Sequence, residues 1–201
     1  LFFSNGIKAW RADGTVITDK IWAGTECGYQ ANVGTSAMHG VMTVRHPLTP
    51  SKYYIITIDD IVNQGVEGRG DGYHQNSCQF HPTYPTESHG ISYAIIDSSA
   101  NLIHSSQPIE TNITSGQLGQ LRTTEGMAAT FHANGVDIWV TFHPLWAKHV
   151  VSYLLTCEGF VTQPVVSGEG LVPYTDINQG VGSLDFTQDG SKLALGVDIN
   201  N

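Results

Sequence analysis

Residues 126–142 read GMAATFHANGVDIWVTF. At the centre stands Ala133-Asn134-Gly135, a tight-turn signal, because Gly accepts positive φ and Asn tolerates it. Beyond it, Val136, Ile138, Val140 and Phe142 alternate with Asp137, Trp139 and Thr141. That is the period of two expected of a strand, so the stretch predicts a hairpin. The chain then crosses PLW and AKH, continues as VVSYLLT (150–156), turns at Cys157-Glu158-Gly159 and runs on as FVTQPVV (160–166). Four consecutive antiparallel strands in about 45 residues make a β-meander.

The same grammar recurs along the chain. GVMTVRH (40–46), a turn at Leu48 to Ser51, and KYYIITIDD (52–60) give two strands. GISYAIID (90–97), a turn at Ser98 to Asn101, and LIHSSQP (102–108) give two more, after a long polar insertion at 60–89. LFFS, Asn5-Gly6, IKAWR, Ala12-Asp13-Gly14 and TVIT predict three strands in 1–18, and GSLDFT, Gln188-Asp189-Gly190 and SKLALGV predict two in 182–197. Units opening at Gly40, Gly126 and Gly182 are about 86 and 56 residues apart. Discounting the insertion of roughly 30 residues brings both spacings near 56, within the range of stacked repeats.

Composition agrees. Only 13% of the 201 residues are charged, about half the usual ~25%. Glycine is high at 22 residues, where ordinary usage would give ~14. Coiled coil, helical bundle and charged disorder are excluded, since they need Ala, Glu, Lys and Leu or a high charge density. The net charge of −9 repels phosphate backbones, so no nucleic-acid partner is expected. No run of 18 apolar residues exists, so no membrane span is expected. The chain does not start with Met and shows no leader pattern; either a leader has been removed or the chain is part of something longer.

Repeated four-stranded meanders are the signature of β-propeller blades, which bury their two faces by stacking around an axis. The expected fold is therefore all-β: a β-propeller of four-stranded antiparallel blades. The units are a partial blade at 1–19, a blade at 38–108 carrying the insertion 60–89, a blade at 126–168 and a partial blade at 182–201. With three, four, four and two strands, the chain is an incomplete segment of a larger propeller.

Several strings resemble a known group, the WD40-like propellers of large secreted surface proteins of Bacteroidetes that end in gliding-motility-type (type IX secretion) sorting domains. LFFSNGIKAWRADGTVI (1–17), SKYYIITID (51–59), FHANGVDIWVTFH (131–143), SYLLTCEGFVTQPVVS (152–167) and DFTQDGSKLAL (185–195) carry the resemblance. The last is shared by many propellers; the HANG, W, H and PVVS series in order is more specific. The 60–89 stretch is longer and richer in His than the family's equivalent, and 20–36 fits loosely. The resemblance implies an extracellular, cell-surface location and a propeller fold, but no activity.

Residues that can carry chemistry are few. His74, His81 and His89 lie in the insertion, near Asp71 and Cys78. His and Cys ligate Zn or Cu, yet the spacings of seven and eight residues match no compact metal motif. An unliganded polar loop explains the histidines equally. Asp59, Asp60, Asp71, Asp137, Asp185 and Asp189 offer oxygens for Ca, or simply make turns. His132 and His143 flank the opening hairpin's second strand, either at a propeller mouth or as structural ties. Trp10, Trp139, Trp146 and Tyr153 suit packing between sheets, or sugar stacking if exposed. Arg69-Gly70-Asp71 is an adhesion-type tripeptide and Asn112-Ile113-Thr114 a glycosylation triplet; both arise readily by chance.

Cys27 and Cys78 lie in the two long polar stretches and are the candidate disulfide, which leaves Cys157 over. Closing that ~50-residue loop would stabilise by roughly 4 kcal/mol. G-x-S-x-G, H-E-x-x-H and C-x-x-C are missing. The expected function is a binding, adhesion or scaffolding module. Its partner is a protein or surface glycan contacted through 60–89, with self-association or assembly with remaining blades as a further expectation. The alternatives are a glycan-active lyase or hydrolase using His74, His81 or His89, and a structural subunit of an extracellular assembly.

Overall fold

The computed structural model describes residues 2–4, 8–18, 40–58, 91–97, 99, 101–108, 123–144, 147–168 and 182–196. Every regular element among the described residues is a strand, and every pairing is antiparallel. The first sheet runs β1 (Phe2–Ser4), β2 (Ala9–Arg11), β3 (Val16–Thr18). The second is a meander of β4 (Val41–Arg45), β5 (Lys52–Ile58), β6 (Ile91–Asp97) and β7 (Leu102–Pro108). The third orders β8 (Thr123–Phe131), β9 (Ile138–Pro144) and β10 (Val150–Thr156). The far edge of β10 pairs with both β11 (Gly159–Phe160) and β12 (Val165–Ser167). A final hairpin joins β13 (Leu184–Phe186) to β14 (Leu193–Leu195). Among the described residues, no sheet closes on itself.

The chain is thus antiparallel all-β, and the hairpins read from the turn pairs form. Three details differ from the reading. Val136 lies outside the strand, because the Asn134 Oδ1 accepts from both the Val136 and Asp137 backbone N–H at 3.0 Å and widens the turn. The last strand of the third sheet is split into β11 and β12, with Pro164, which has no N–H for a ladder, in the gap. Strand β8 begins at Thr123 rather than Gly126, with a register shift between Thr123 and Met127.

Alternation decides how the sheets stack. On β5 and β6, Tyr54, Ile56, Ile58 and Ile91 share one face. They join Ile138, Val140, Phe142, Val151, Tyr153 and Leu155 of the third sheet in one buried cluster. The other face, with Ile55, Ala94 and Ile96, packs against Ala9 and the half-buried Phe2 and Ile17 of the first sheet. The second sheet is therefore covered on both sides. That explains why KYYIITI is apolar almost throughout: a strand buried on both faces has no reason to alternate.

The third sheet is also covered twice. A Cβ placed on Gly126 would lie 3.1 Å from both the Cβ and the backbone N of Leu184, so the last hairpin approaches β8 where a side chain is lacking. Gly126→Val should force this hairpin away, at the cost of about 1–3 kcal/mol typical of overpacking. Hydrogen exchange should then accelerate in 184–186 and 193–195 while β9 and β10 stay protected. Unchanged protection of the hairpin would refute the contact.

Neighbouring sheets are aligned end to end. Phe160, just past the Cys157–Glu158 turn, sits with its ring 5.7 Å from Tyr54 and 5.2 Å from Tyr93 of the second sheet. Tyr54 in turn lies 5.8 Å from His46, which opens the β4–β5 turn. Arg11, beside the β2–β3 turn, acts electrostatically on Asp97 at the β6–β7 turn. Gly190 of the last turn abuts the Thr130 side chain, near the turn end of β8. The β2–β3, β4–β5, β6–β7, β8–β9, β10–β11 and β13–β14 turns thus gather at one end. The strand ends at Thr18, Val41, Ile58, Ile91, Pro108, Thr123, Ser167 and Leu184 lie at the other, where the connecting segments 19–40, 59–90, 109–122 and 168–183 attach.

Candidate functional site

The end carrying short turns is held by its own hydrogen bonds. Two turns share one device. In Ala12-Asp13-Gly14-Thr15, the Asp13 Oδ1 accepts from the Thr15 N–H at 2.9 Å and its hydroxyl at 2.8 Å. In Gln188-Asp189-Gly190-Ser191, the Asp189 Oδ1 accepts from the Ser191 N–H at 3.0 Å, its hydroxyl at 2.8 Å and the Thr187 hydroxyl at 2.6 Å. Gly14 and Gly190 supply the positive φ, +85° and +70°, that L side chains rarely adopt. The open depression at this second turn is lined by Thr187, Gln188, Asp189, Ser191 and Lys192.

These bonds hold the exposed Asp189 carboxyl down at about 2, the Thr187 hydroxyl first and Ser191 next. A carboxyl-carbon NMR titration should show that midpoint, and Ser191→Ala should move it up toward the ordinary carboxylate range. A midpoint unmoved by the substitution would contradict the turn geometry.

Histidine serves two other turns. The His46 Nδ1 accepts from the Leu48 and Thr49 backbone N–H groups at 3.3 and 3.1 Å, while the His46 backbone N–H donates to the Lys52 carbonyl at 2.9 Å. The His132 Nδ1 accepts from the Asn134 N–H at 3.1 Å, and the His132 backbone N–H donates to the Asp137 carbonyl at 2.8 Å. Each ring thus ties down the turn that follows it, while the histidine backbone N–H closes the hairpin. Burial, with the Lys52 charge second, holds His46 below its ordinary value. His132 also packs against Trp139, ring centres 5.7 Å apart.

The opposite end holds a different chemistry. Thr123, Thr124, Glu125 and His143 are all buried in the third sheet, at the ends of β8 and β9. Burial, then the neighbouring His149, pulls His143 down to about 4, against a hydrogen bond with the Ala147 backbone. The imidazole is therefore neutral at neutral pH. It belongs to the face opposite Phe142, with Trp139 and Thr141, whose hydroxyl lies 2.8 Å from that of Ser152. Among the described residues, no three His, Cys, Asp or Glu side chains are placed to hold a metal ion.

Set against known proteins, the chain matches no family model, no curated protein and no solved structure.

His132 follows the turn end of β8 and His143 lies near the far end of β9, so the two do not converge. Tyr153 fills the space between sheets, but Trp10 points outward and stacks on Phe3, ring centres 5.2 Å apart. Asp137 binds the Asn134 side-chain amide at 2.7 Å within its own turn. Cys157 is free and exposed at the β10–β11 turn. His74, His81, His89, Arg69-Gly70-Asp71, Asp59, Asp60, Cys27, Cys78, Asn112 and Trp146 lie outside the described residues. Glu125 and His46 escaped sequence reading. A lone acid in the near-apolar run TTEGMAATF was the available signal for the first; nothing marked the second.

Proposed function

We propose that this chain is a segment of a β-propeller serving as a non-enzymatic binding or scaffolding module of a large secreted surface protein. The observation that carries the reading is the stacking of four antiparallel sheets face to face, with the long connections all attached at one end. Stacked meanders in this arrangement are how propeller blades bury both faces. Connections gathered at one end form the surface where such scaffolds place their contacts. The resemblance of HANG, W, H and PVVS to secreted propellers supports the extracellular setting.

The partner is a protein or a surface glycan, contacted through the 60–89 insertion, which joins β5 to β6 at that end. The acidic chain, net charge −9, disfavours nucleic acid, and no helix among the described residues is long and apolar enough to cross a membrane. The test uses the full chain, fluorescently labelled, against a surface-polysaccharide array and intact bacterial cells. Deleting 62–88 should abolish binding and leave the β-type circular dichroism spectrum unchanged. Binding retained by the deleted chain would overturn the assignment of the insertion. Turnover of an arrayed glycan would overturn the non-enzymatic reading.

A further inference from the structure

We draw no further inference here: the strongest candidate, the outward face of the first sheet where Phe3, Trp10 and Val16 lie in one row across three strands, carries nothing because nothing in the structure shows what covers it.

Discussion

Phe142→Ala should cost about 3–5 kcal/mol of folding stability, the range for deleting a buried aromatic ring. Phe142 is fully buried, at 0% exposure, with its ring 6.4 Å from Tyr153. It belongs to the cluster shared by the second and third sheets, so the cavity weakens both. Since domains of this size are stable by only about 5–15 kcal/mol, the loss should lower the chemical-denaturation midpoint far beyond error. Phe131→Ala is the control. Phe131 belongs to the same sheet, paired with Ile138, but is 70% exposed. Its truncation should change stability by no more than about 0.5 kcal/mol. Equal losses from the two substitutions would mean that the second and third sheets do not share a core.

Acid should weaken the fold through His143. The unfolded chain takes up this proton near pH 6.5, the ordinary histidine value, whereas the folded chain resists until about pH 4. Between those limits the unfolded state binds more protons, so stability falls as pH falls. It is whole above about pH 6.5 and its loss is complete near pH 4, amounting to roughly 3 kcal/mol at most. His46, also held below its ordinary value, adds in the same direction. Urea denaturation of the full chain at a series of pH values between these limits should therefore slope steeply. His143→Gln should flatten most of that slope, and His46→Gln a smaller share. A slope unchanged in His143→Gln would show that the ring is not buried as described.

The two expectations draw on residues of unequal legibility. Phe142 was recognisable as a core residue from alternation alone, because Ile138, Val140 and Phe142 fall on one side of a strand whatever packs there. Phe131 has the same period and the same face, and nothing local distinguishes it. Its exposure follows from its place at the turn end, beyond the reach of the neighbouring sheet. His143 was noticed as a strand-end histidine, but its neutrality depends on burial at the end of the third sheet, with His149 nearby. The paired ends of β8 and β9 that enclose it lie about 20 residues apart in the chain, and local patterning does not encode such burial.

Strands, turns and the antiparallel all-β class were determined by the sequence itself, because they rest on local physics. Asn134-Gly135, Asp13-Gly14 and Asp189-Gly190 admit positive φ, and alternation selects the face of each flanking strand. The tertiary structure alone decided which faces meet. Burial on both sides of the second sheet, the approach of Leu184 to Gly126 and the attachment of the long connections at one end arise from packing across long sequence separations. The apolar pattern says that a face must be covered; only the shape and volume of what lies opposite determine by what.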